Sequence, residues 1–112
     1  MAKKKAAGAG SVRVVLVTAP VKEAETLART LVEERLAACA NLLPGVTSLY
    51  WWEGKINRDA EVLIVLKTRK TGVARLMKRV KELHSYTVPE FLTLEVREGN
   101  ADYVKWVGTE VR

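Results

Sequence analysis

Residues 38–56, ACANLLPGVTSLYWWEGKI, constrain the fold more than any other part of the chain. After Pro44-Gly45 the chain enters a β-prone run that ends in Tyr50, Trp51 and Trp52. The turn-forming residues Asn57, Arg58 and Asp59 then lead into a second apolar run, EVLIVLKT, at 61–68. β-branched and aromatic residues suit a pleated surface, and clusters of Asn, Asp and Gly punctuate it. The two runs predict one hairpin with arms of roughly ten residues, or about 33 Å each. Gly54, inside the first arm, predicts a bulge. The remaining candidate strands, 12–18 and 91–96, are shorter, so such a hairpin overshoots its own sheet. Unpaired strand edge and exposed aromatics of this kind pair with another chain. An oligomer joined through the hairpin is the expectation.

The rest of the chain fits around that ribbon. Residues 1–10, MAKKKAAGAG, carry nothing to pack and predict a disordered basic tail ahead of one domain at 11–112. VRVVLVT at 12–18 is nearly continuous in β-branched residues and predicts a buried central strand. Pro20 suits the start of a helix. Ala24, Leu27, Ala28, Leu31, Val32 and Leu36 then recur at helical spacing and predict a helix over 21–38. Glu23 and Glu25 sit in its first turn, where the helix dipole favours negative charge. Cys39 continues the same stripe. A second helix is predicted over 71–84, with Thr71 as N-cap and Val73, Leu76, Met77, Val80 and Leu83 or His84 on its buried face. Pro89 keeps the segment before it from continuing as helix. A last strand, 91–96, is expected to turn Leu92, Leu94 and Val96 inward, and a short helix closes the chain over 101–111. The order β-α-β-β-α-β plus a helix predicts a ferredoxin-like α+β sandwich, with two helices on one face of an antiparallel sheet.

Composition excludes several function classes. Three of the six net positive charges belong to Lys3, Lys4 and Lys5, so the domain itself lacks the basic character of a nucleic-acid binder. The candidate central strands also lack the aromatics on which RNA-recognition sheets stack bases. No apolar run approaches the roughly 18 residues of a membrane span, and the basic start lacks the apolar core of a secretory signal. One cysteine makes no intrachain disulfide, which fits a reducing compartment. Neither nucleic acid nor membrane is an expected partner, and the cytoplasm is the expected location. No Walker loop or GxGxxG is present. The loop at 18–22 has neither glycine nor arginine to cradle a phosphate, and one histidine alone does not supply acid–base chemistry. A non-enzyme is expected.

VLVTAP at 15–20, ERLAACANLLPGVTSLYWWEGKI at 34–56, LKT at 66–68 and HSYTVPE at 84–90 together resemble the CutA divalent-cation tolerance family, in order and across 11–112. That resemblance implies a small cytoplasmic homotrimer, similar in architecture to the PII signalling proteins, whose strands pair between subunits. It implies tolerance to copper and other divalent metals, with Cu(II) or another divalent ion bound, and no established catalytic activity. Two departures bear on the metal. Some members carry a cysteine where this chain has Val17, and a double histidine where it has Leu83-His84. The His-Pro-Tyr of some members is here His84-Ser85-Tyr86. Of the ligands proposed in those members, only His84 remains.

Two constellations are candidate sites. His84, Cys39 and Glu90 are the candidate metal ligands, because copper and zinc favour imidazole and thiolate. A closed site takes about four ligands, so subunits would have to share it. The plainer readings are a core cysteine and a structural histidine hydrogen-bonded near Tyr86. The second constellation mixes Trp52, Glu61, Tyr86 and Glu90 with Lys67, Tyr103 and Trp106. Charges near strand ends are costly when buried without partners, so they suit a cleft between subunits. That cleft would take an ion or small metabolite, or serve as a network that fixes the trimer. Three readings stay open: a copper-tolerance trimer, a PII-like small-molecule sensor and a structural trimerisation module.

Overall fold

The computed structural model describes residues 9–112, so the expected tail falls almost wholly outside the described residues. A 3-10 turn, Ala9–Ser11, leads into β1 (Val12–Pro20), followed by α1 (Val21–Glu33) and the paired strands β2 (Cys39–Trp52) and β3 (Lys55–Arg69). A 3-10 turn, Lys70–Gly72, precedes α2 (Val73–Leu83), and β4 (Leu92–Glu95) and α3 (Ala101–Glu110) complete the chain. The antiparallel sheet has the order β2-β3-β1-β4. This is the expected ferredoxin-like α+β fold.

Strand alternation places Val15, Val17 and Ala19 of β1 beside Leu66, Ile64 and Val62 of β3 on one face. All six are buried there by α1, through Ala24, Leu27, Ala28 and Leu31, and by α2, through Leu76 and Val80. Thr68 is the polar member of this face, and its hydroxyl donates to the Leu36 carbonyl at 2.8 Å. The two helices are pinned where Arg79 donates through Nε and Nη2 to the two oxygens of Glu34, each at 2.8 Å. Hydrogen bonding from Arg79 holds the Glu34 carboxyl below the usual carboxylate range.

The other face has a different fate. Only one end of it is covered, where Val104, Val107 and Val111 of the C-terminal segment enclose Val12, Ala38 and Val96. Asn100 caps α3 by accepting from the Asp102 N–H at 3.0 Å. In register beyond that end stand Leu16 and Leu92, then Leu63 and Leu43. Nothing among the described residues covers Leu43, Leu92 or Leu94, and Leu92 is 57% exposed. The expectation that Leu92 and Leu94 turn inward is therefore corrected: β4 is a short edge strand, and its leucines share the bare face.

The hairpin is longer than its spacing predicts, and its landmarks move. The turn is Glu53-Gly54, both at positive φ (51° and 79°), the signature of a tight two-residue connection. Gly54 thus makes the turn, and 57–59 are strand. The bulge lies at Pro44-Gly45, where pairing shifts between Leu43 and Val46 and Gly45 takes φ 80°. β1 reaches only as far as the pair Pro20–Glu61, so residues 55–60 of β3 pair with β2 alone. The molecule measures 59 × 25 × 22 Å with a radius of gyration of 15.4 Å, against about 13 Å for a compact chain of this length. Trp51, on the free arm, is 73% exposed.

Both long helices also differ at their ends. α1 stops at Glu33 rather than 38, because Arg35 adopts φ 59°. The Leu36 N–H then donates to Leu31 and the Arg35 N–H to Val32, each at 3.0 Å, closing the helix in a Schellman arrangement without glycine. Cys39 accordingly opens β2 instead of extending the helix stripe. Gly72 rather than Thr71 stands at the N-cap of α2, with no side-chain cap.

Candidate functional site

The cleft at the root of the hairpin begins with His84, the residue at which α2 ends. Its side chain is wholly buried. Nε2–H donates to the Thr18 carbonyl at 2.8 Å, and Nδ1 accepts the Tyr86 N–H at 3.0 Å. That pair of bonds requires the neutral Nε2–H tautomer. Glu23, in the first turn of α1, secures the next residue: its Oε1 accepts from the Ser85 N–H at 3.2 Å and hydroxyl at 2.9 Å. The same oxygen lies 3.7 Å from His84 Nδ1.

The loop so fixed aims Tyr86 at the last residue of β3 that β1 still pairs. The Tyr86 hydroxyl donates to Glu61 Oε2 at 2.8 Å, and Glu61 is only 4% exposed. Burial, then the bond to Glu61, push the Tyr86 phenol well above its ordinary range. Burial and the neighbouring Glu61 charge likewise raise the Glu90 carboxyl. Across the cleft, the Tyr50 hydroxyl donates to Asp59, and that bond raises it. A cavity of about 740 Å³ opens between the loop and the hairpin, walled by Trp52, Tyr50, Tyr86, Glu61 and Glu90. Thr18, Thr47 and Ser48 add hydroxyls, and among the described residues no Lys, Arg or His lines it.

The structure divides the second constellation. Trp52, Glu61, Tyr86 and Glu90 meet in this cleft. Lys67 lies six residues further along β3, roughly 20 Å of strand away. It pairs there with Cys39, donates to Asn41 Oδ1, and stands 3.8 Å from the Cys39 sulfur. Tyr103 and Trp106 of α3 lie at that same end, their rings 5.6 Å apart. Burial and the contact with Cys39 raise the Tyr103 hydroxyl. The charges and aromatics thus form two groups, one at each end of the sheet.

The metal constellation does not assemble within the chain. Both ring nitrogens of His84 are engaged, Cys39 is at the opposite end beside Lys67, and Glu90 is in the cleft. Among the described residues, no group of three His, Cys, Asp or Glu gathers to hold an ion. Sequence reasoning also missed Tyr50, Ser48 and Thr18 as cleft residues. Their signal was present for the first two, because Ser48, Tyr50 and Trp52 alternate along one strand.

The family model for the CutA1 divalent ion tolerance protein matches residues 13–110. The divalent-cation tolerance protein CutA of Thermus thermophilus is 50% identical over 95 residues, spanning 84% of this chain and 92% of that protein. The chloroplastic protein CutA 1 of Oryza sativa is 46% identical over 100 residues, spanning 88% of this chain and 56% of that longer relative. Several other relatives are longer in the same way. Among solved structures, CutA1 from Oryza sativa superposes with a TM-score of 0.88 at 42% identity, covering 91% of this chain and 94% of that one. The Thermus thermophilus protein gives 0.87 at 46%, covering 90% and 99%. On its sequence and on its fold together, the chain belongs to the CutA1 divalent ion tolerance family.

Proposed function

We propose that the chain forms a non-catalytic homotrimer that serves divalent-cation tolerance, with the cleft at the hairpin root as its ligand site. The observation that carries this reading is the free arm: residues 55–60 pair on one edge only, beside a bare leucine face. Edges and faces of this kind are completed by another copy when the chain offers no cover of its own. The names of the relatives support the link to divalent cations. Copper held by His84, Cys39 and Glu90 of one subunit does not fit the donor geometry, so an ion handled by the assembly would need donors from more than one subunit.

A PII-like response to a small ligand is the companion reading. It is favoured by the cavity between loop and hairpin, which opens beside the free arm. A cellular assay tests the whole proposal. In cells without their own protein of this type, the chain restores growth under Cu(II) stress, and Leu94→Asp, which charges the bare face, does not. Equal rescue by both would contradict a role that requires assembly.

A further inference from the structure

We propose that the cleft at the hairpin root binds an organic ammonium ion, with its charge between Glu61 and Glu90 and its carbon body against Trp52, Tyr50 and Tyr86. The inference rests on the reading of this cleft as a ligand site and adds the chemistry of the ligand.

Glu61 carries the argument. It is almost fully buried, it lines the cavity, and among the described residues its one side-chain hydrogen-bond donor is the neutral Tyr86 hydroxyl. Among the described residues, no Lys, Arg or His stands within ion-pair distance of Glu61 or Glu90. A buried carboxylate without a cation is costly, and a second carboxylate in the same cavity adds repulsion. The wall therefore calls for positive charge. This chain's side of it also disfavours nucleotides, phosphate and carboxylate metabolites, since no basic side chain among the described residues lines it.

The identity of the cation follows from size and donors. A bare divalent ion needs several oxygens within about 2.6 Å, and among the described residues no such group gathers here. A volume of about 740 Å³ falls in the range of small-molecule sites. Aromatic faces attract alkylammonium groups by cation–π interaction, and the cleft presents three aromatic side chains. The hydroxyls of Thr18, Thr47 and Ser48 add acceptors for ammonium N–H groups.

The test is equilibrium dialysis of the full chain at pH 7.5 with radiolabelled putrescine and choline. Glutarate, ATP and Mg²⁺ serve as comparison probes, and sedimentation is run in parallel. The expected result is saturable binding of at least one of the two amines at one per subunit. Glu61→Gln and Glu90→Gln each weaken it tenfold or more, Trp52→Leu weakens it, and the sedimentation of Glu90→Gln is unchanged. Amine binding also falls as pH is lowered and Glu90 takes up a proton. Saturable binding of glutarate, ATP or Mg²⁺ in place of the amines would overturn the proposal and leave the cleft a ligand site. If no probe binds and Glu61→Gln disrupts the assembly, the missing cation comes from the adjacent copy. Both the ammonium proposal and the ligand-site reading then fail.

Discussion

Neighbouring residues of β3 meet opposite environments. Val62, Ile64 and Leu66 point into the helix layer and are buried, whereas Leu63 and Val65, one step away, belong to a face that α3 covers only at its far end. The same contrast holds in β1, whereas β4 is exposed along its whole length, both leucines included. One face is closed within the chain, and the other is left open over most of its length. Fully burying a leucine is worth roughly 1.5–3 kcal/mol, so a leucine face left in water points to a partner. The cleft lies where that incomplete face runs out into the free hairpin.

The contrast is most exposed to test at adjacent positions. Ile64→Ala, on the closed face, should destabilise the subunit by about 2–5 kcal/mol, read by urea denaturation at fixed protein concentration. Leu63→Ser should leave the helical circular dichroism of the isolated subunit intact and instead weaken self-association, read by sedimentation. Comparable unfolding by both would erase the distinction between the faces.

At the boundary between the two regions, Tyr86→Phe removes the hydroxyl that donates to Glu61 and leaves a buried carboxylate short of that partner. A loss of about 1–3 kcal/mol is expected, with the loop at 84–90 gaining amide hydrogen exchange. The closed layer has its own titrating clamp. Arg79 lowers the Glu34 pKa in the folded state, so its stabilisation is complete above the ordinary carboxylate range and is lost as pH falls through the folded value. Arg79→Ala should flatten that acid limb in urea midpoints measured between about pH 5 and pH 2.

Glu90 behaves in the opposite sense. Its folded pKa is raised, so folding favours the protonated form, and stability falls as pH rises through the folded value. Glu90→Gln should therefore raise the thermal midpoint at pH 7 by a small margin while damaging the cleft. The smallest effect belongs to the hairpin tip. Glu53→Gly relieves a left-handed residue and should change stability by less than about 1 kcal/mol.

Much of the fold was legible because hydrophobic period sets element type. The run 12–18, the stripe of α1 and the overhang of the hairpin all follow from which residues can be buried together. The errors have physical causes. Gly54 serves a bulge or a turn equally well, and only the pairing of Trp52 with Lys55 decides. The end of α1 carried no glycine, because Arg35 accepts the left-handed conformation itself. Alternation in β4 showed that Leu92 and Leu94 share a face but not that the face is bare. For the site, residue type identified the four cleft members Trp52, Glu61, Tyr86 and Glu90. It did not separate them from Lys67, Tyr103 and Trp106, since strand spacing sets distance only once the register is known. The bond from the Tyr86 N–H to His84 is local and agrees with the structural histidine expected near Tyr86, whereas the Thr18 carbonyl on the other ring nitrogen is brought there by tertiary structure alone.

Sedimentation equilibrium of the full chain at micromolar concentration tests the account most directly. A single species of about three times the 12.5 kDa chain mass is the predicted result for a subunit whose free arm and bare face are completed by its own copies. A stable, fully folded species at 12.5 kDa would contradict it.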